Sequence, residues 1–137
     1  EACPLTRWCA AFASGHPERW PLKTARADRP RRTGTAWVLR DEQGRVALAR
    51  RPDKGLLGGM LGLPTSDWAL ETGDAAPPVA ADWRDAGRIE HVFTHFALTL
   101  TVRTARGAGD FEWTPLDEAR RGLPSVFRKA LSAGCAP

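Results

Sequence analysis

Thr35-Ala36-Trp37-Val38-Leu39-Arg40, then Asp41-Glu42-Gln43-Gly44, then Arg45-Val46-Ala47-Leu48-Ala49-Arg50, is the stretch that decides the fold class. Two β-rich runs flank a polar turn ending in glycine, which is the pattern of a β-hairpin. Further along, Arg88-Ile89-Glu90-His91-Val92-Phe93 and Phe96-Ala97-Leu98-Thr99-Leu100-Thr101-Val102 predict a second hairpin with a tight turn at Thr94-His95. Phe96, Leu98, Leu100 and Val102 alternate onto one face of a half-buried strand. Phe96 is therefore read as core, and His91 as a strand residue without a chemical role. Between the hairpins, Pro52-Asp53-Lys54-Gly55 turns into a run to Pro64 with glycines at 55, 58, 59 and 62. Such glycine density excludes a stable helix and predicts a loop leading into a short strand.

Residues 66–79 carry little pattern; Ser66 or Asp67 is a candidate cap for a short helix, and Pro77-Pro78 ends any regularity. Glu112-Trp113 predicts a short strand. Pro115 to Arg121 predicts a helical turn with acids first and bases last, as the helix dipole favours. Pro124 opens a final amphipathic helix bearing Phe127 and Leu131, with Gly134 placed to stop it. The expected class is α+β: a mixed sheet with a few flanking helices.

A chain of 137 residues makes one domain with a short tail or linker to spare. Its 42% apolar and 26% charged content suits a folded core. No apolar run approaches the roughly 20 residues of a membrane span, and the opening residues lack a signal peptide's apolar centre. Three cysteines, an odd number, argue against a secreted disulfide framework and for a reducing cytoplasm. The net charge of +4 lies wholly in residues 1–32, where seven bases face three acids; the rest of the chain balances. Arginine outnumbers lysine 17 to 3. A GC-rich genome produces the same bias, but a neutral globule with a basic strap also suits a DNA backbone.

Cys3-Pro4-Leu5-Thr6-Arg7-Trp8-Cys9 reads as half of a metal site, since a four-thiolate site needs two further ligands. Cys135 is a poor candidate and is read as a free tail thiol. Three segments are expected: 1–13, the end of a cluster loop; 14–32, an extended basic linker with Pro17, Pro21 and Pro30; and 33–137, the globular domain. Trp20 is expected to dock on a neighbouring surface; His16 in the linker says little.

Cys3-x5-Cys9 with its basic linker, Arg50-Arg51-Pro52 leading to Gly55-Leu56-Leu57-Gly58-Gly59 and Leu63-Pro64, and Phe93-Thr94-His95-Phe96 occur in an order that resembles one family. The chain is similar over nearly its whole length to the C-terminal part of the MutY family of A/G-specific adenine DNA glycosylases. The resemblance implies a Nudix (MutT)-like domain that reads 8-oxoguanine opposite the adenine which the family's N-terminal domain removes. It matches Cys3 and Cys9 to the last two ligands of a 4Fe-4S cluster, the second ligand falling directly before Glu1. It implies as partners double-stranded DNA with 8-oxoguanine:adenine mispairs and the catalytic domain of the same chain, at the bacterial nucleoid and not at a membrane. The fragment alone would be non-catalytic.

The implied lesion contacts are Phe93, Thr94 and His95. Oxidation at C8 of guanine adds a carbonyl and turns N7 from acceptor to donor; a hydroxyl, both donor and acceptor, suits that change. Thr94 stands where the family usually has serine, keeping the hydroxyl and adding a stiffening methyl. Phe93 is a candidate wedge and His95 a candidate phosphate contact. Arg26, Arg29, Arg31 and Arg32 are candidates for the DNA backbone.

An active Nudix hydrolase is a second expectation, weighed and disfavoured. Its G-x5-E-x7-R-E-x2-E-E pattern supplies the carboxylates a hard cation needs. Glu71 is the only glutamate between Gly44 and Gly87, no Glu-Glu pair occurs, and Asp67 and Asp74 cannot replace the set at that spacing. A protein-interaction module is the third.

Overall fold

The computed structural model describes residues 3–22, 24–25, 27–71, 73 and 75–136. The sheet is six-stranded: β1 (Arg31–Arg40), β2 (Val46–Arg50), β3 (Leu61–Gly62), β4 (Arg84–Val92), β5 (Ala97–Arg106) and β6 (Glu112–Thr114). Among the described residues three α-helices accompany it: α1 (Ala10–Ala13), α2 (Leu116–Gly122) and α3 (Ser125–Gly134). Strand order is β3-β2-β1-β5-β4, with β6 pairing β2. All pairings are antiparallel except the long parallel ladder between β1 and β5. The expected α+β class with a mixed sheet and flanking helices is what the chain forms.

The first hairpin turns where the sequence places it. The Arg45 N–H donates to Asp41 Oδ1 at 2.8 Å, and Arg45 Nε to Asp41 Oδ2 at 2.7 Å. Gly44 takes the left-handed conformation the turn requires, at φ 78°. Burial works to raise the Asp41 pKa, but the Arg45 amide and guanidinium outweigh it and hold it below the ordinary carboxylate range. The sign of the linkage follows: the turn's contribution is full above the unfolded value near 3.8 and is lost as pH falls through the lower folded value. Urea midpoints measured against pH should therefore show an acid limb that Asp41→Asn flattens.

On one face of the sheet α3 presents Val126, Phe127, Ala130, Leu131 and Gly134, a helical stripe, to Ala36, Val38, Leu98, Leu100 and Val102. The opposite face buries Leu39, Ala47 and Ala105 beneath Val79, Ala81, Trp83, Phe111 and Trp113. Gly134 lies within α3 rather than past its end. A Cβ there would sit 2.5 Å from Val38 Cγ2, so the glycine serves close helix–strand approach and not a left-handed stop.

Two further expectations are corrected. No helix forms among the described residues of 66–79. Their backbone instead runs along β1: Ser66 N–H donates to the Thr35 carbonyl at 3.0 Å and Thr33 N–H to that of Ala69 at 2.7 Å. The Ser66 hydroxyl accepts from Thr35 N–H at 2.9 Å rather than capping a helix. Trp20 does not bury itself, being 52% exposed. The short turns around it, Thr6–Trp8, Ala10–Ala13 and Pro17–Arg19, contain no buried residue that could receive it. The sheet begins at Arg31, ahead of Thr33. No helix is long and apolar enough to cross a membrane among the described residues.

Candidate nucleic-acid interface

The β4–β5 hairpin ends in Thr94 and His95, both exposed, above a turn closed by the Phe93 N–H donating to the Phe96 carbonyl at 2.9 Å. Among the described residues nothing occupies the Thr94 hydroxyl, so it is free to donate and accept.

Beneath the tip lies an aromatic base. Phe93 is half-buried and stacks on Trp68 with centroids 5.9 Å apart and planes 27° apart. It also contacts Phe96 at 4.9 Å and the edge of His91 at 4.6 Å. Trp68 leans on Phe127 of the core at 6.3 Å. Its position depends on Gly34, where a Cβ would come within 2.8 Å of Trp68 Cδ1. Arg51 covers the indole at 4.5 Å, an arrangement in which guanidinium and ring attract. The same guanidinium donates to the Leu56 carbonyl of the glycine-rich loop and to the Thr65 hydroxyl just beyond it, both at 3.3 Å. Burial lowers the Arg51 pKa, but a guanidinium starts high enough to stay charged.

Burial, and after it the nearby Lys129 charge, lowers the His91 pKa, so its imidazole is neutral at neutral pH. His91 Nδ1 and Trp68 Nε1 are buried without a hydrogen-bond partner among the described residues.

The parallel ladder brings the basic segment to this tip. Ala97 N–H donates to the Pro30 carbonyl at 2.9 Å, and Arg31 and Arg32 stand opposite Ala97 and Leu98. Neighbouring residues of a strand point to opposite faces. Arg32 turns to the aromatic side, 4.6 Å above the Phe96 ring, and Arg31 to the other. Arg29 precedes them, half-buried; Arg26 lies outside the described residues.

The site residues expected from the sequence thus divide. Thr94, His95, Arg31 and Arg32 lie at one end of the sheet, the two arginines on opposite faces, while the Phe93 ring is engaged in the base rather than free at the apex. Cys3 is exposed and Cys9 half-buried, both free thiols flanking the Thr6–Trp8 turn. No group of three or more His, Cys, Asp or Glu side chains that could hold a metal ion forms among the described residues. The two thiols therefore do not by themselves fit an iron–sulfur cluster. From the sequence, Trp68 has no assigned role and Arg51 only a place in the Arg50-Arg51-Pro52 motif. The available signal was a tryptophan in an irregular polar stretch, which must find apolar cover somewhere.

A cleft of about 550 Å³ opens nearby, lined by Trp37, Arg50, Arg51, Ser66, Asp67 and Phe111 among others; Asp67 is the one carboxylate among its described lining residues.

Residues 35–133 match the NUDIX domain family. The chain belongs to the NUDIX domain family. Solved structures similar to this NUDIX domain include a MutT protein from Methanosarcina mazei Go1, at 19% identity and TM-score 0.61, covering 78% of this chain and 94% of that one. The C-terminal domain of mouse MUTYH, crystallised with human PCNA, is 19% identical with TM-score 0.58, over 74% of this chain and 86% of that one. The NUDIX domain of Shewanella oneidensis NrtR, crystallised with ADP ribose, is 13% identical with TM-score 0.57, over 85% and 94%. At these identities the likeness is one of fold.

Proposed function

We propose that this NUDIX domain is the lesion-reading part of an A/G-specific adenine DNA glycosylase, acting on DNA in which adenine faces 8-oxoguanine. The observation that carries the reading is the meeting, at one end of the sheet, of an unengaged hydroxyl on a hydrogen-bonded hairpin tip with a basic strap. The strap supplies phosphate contacts without sequence preference; the tip supplies discrimination. The fold likeness to the mouse MUTYH C-terminal domain supports it. On this reading Cys3 and Cys9 are two of the four ligands of a 4Fe-4S cluster, and base removal belongs to the catalytic domain of the parent glycosylase.

The reading is tested by measuring duplex affinity against salt for the parent protein and for Arg31→Ala and Arg32→Ala. Each substitution should weaken binding to lesion and undamaged duplexes alike and reduce the slope of log K against log salt by about one. Unchanged slopes remove the strap from the interface. Equal affinity of the parent protein for both duplexes would instead favour a protein-interaction module. Pyrophosphate released from 8-oxo-dGTP with magnesium would favour a hydrolase, although Glu71 and Asp67 are poor material for its metal site.

A further inference from the structure

At the other end of β5, about 30 Å from the hairpin tip at roughly 3.3 Å per residue, three arginines gather around a single described acid. Arg40 and Arg106 stand opposite each other in the β1–β5 ladder, and Arg84 pairs with Thr104 in the β4–β5 ladder. Alternation along the strands places all of these on the α3 side. They line a cavity of about 300 Å³ with Asp82 and Ala105. Asp82 is the one acid among its described lining residues, 3.6 Å from Arg84, with both side chains more than three-quarters exposed. Such an exposed pair is weak. Arg40 Nε is buried and has no hydrogen-bond partner among the described residues, a state that is costly for a charged donor. Cys135 offers no counter-charge: burial raises its pKa despite the opposing pull of Arg40 and Arg120, so the thiol stays neutral.

We propose that Arg40, Arg84 and Arg106 form a binding site for a phosphate-type oxyanion, distinct from the lesion-reading end. Planar guanidinium forks from adjacent strands suit the oxygens of a phosphate, and an anion there would satisfy Arg40 Nε and relieve the repulsion between neighbouring cations. Thr104 does not compete for the ligand, because its hydroxyl donates to the Val38 carbonyl at 3.2 Å.

The test is titration of this chain with inorganic phosphate, following the Arg40 Nε–H resonance by NMR. A saturable shift is expected in the millimolar range (about 4 kcal/mol at 1 mM), weakened roughly tenfold by either Arg106→Gln or Arg84→Gln. Both replaced side chains are exposed, so the fold does not depend on them. Arg32→Gln, at the far end, should leave the shift intact. A second arm adds an undamaged DNA duplex. Competition with phosphate for the Arg40 signal identifies a nucleic-acid phosphodiester as the ligand's source, and absence of competition identifies a free phosphate. The site is refuted by an Arg40 signal that does not respond, that responds as strongly in both variants as in the unaltered chain, or that sodium chloride moves as far at equal ionic strength. None of these outcomes bears on lesion preference, so this site and the lesion-reading role stand or fall separately.

Discussion

Thr94→Ala in the parent protein should reduce its preference for 8-oxoguanine:adenine over guanine:adenine duplexes by roughly ten- to a hundredfold, the worth of about 1–3 kcal/mol for one good base contact. Affinity for undamaged DNA should change little, since phosphate contacts from the strap are untouched. The asymmetry follows from the tip: the hydroxyl is exposed, has no partner among the described residues, and stands above a turn closed by the Phe93–Phe96 hydrogen bond. Removing it therefore costs no internal contact, and stability should hold steady. Thr94→Ser, which keeps the hydroxyl and drops only the methyl, should retain the preference. Competition binding with the two duplexes decides the matter. Equal losses on both would show that Thr94 contributes general affinity and not discrimination.

Phe127→Ala should lower the stability of the domain by about 3–5 kcal/mol, the usual cost of emptying a fully buried aromatic position. Against a total of roughly 5–15 kcal/mol for a domain, that is a large fraction. Phe127 has no exposed surface. It ties α3 to the sheet, meets Trp68 at 6.3 Å and lies 5.7 Å from the Arg51 guanidinium. The substitution should therefore loosen the aromatic base as well as the core. Urea unfolding followed by tryptophan fluorescence reads the stability, and near-ultraviolet circular dichroism reads the packing of Trp68. A loss below about 1 kcal/mol would contradict the packing described for α3.

The parts of the fold set by neighbouring residues were legible in the sequence. Both hairpins, the alternation through Phe96, Leu98, Leu100 and Val102, and the amphipathic last helix depend on local pattern, and the structure has them where that pattern lies. What depends on distant pairing was not legible. No local feature of Arg31 says that it will stand beside Ala97, and it is this parallel register that carries the strap to the tip. Residues 66–69 lack periodicity because β1, not their own turn, satisfies their backbone. Gly134 reads as a helix stop from its position; only the presence of Val38 shows its use. The candidate site divides in the same way. Thr94 and His95 are visible as a turn, whereas Trp68 and Arg51 reach the site from elsewhere in the chain.

The parallel register also sets where the leading segment joins the body. The tether joins the body next to the fingertip and not at the wrist. If the body swings about that attachment, the far arginine pole sweeps a wide arc while the fingertip barely travels. Orientational slack in such an arm leaves the point of touch in focus.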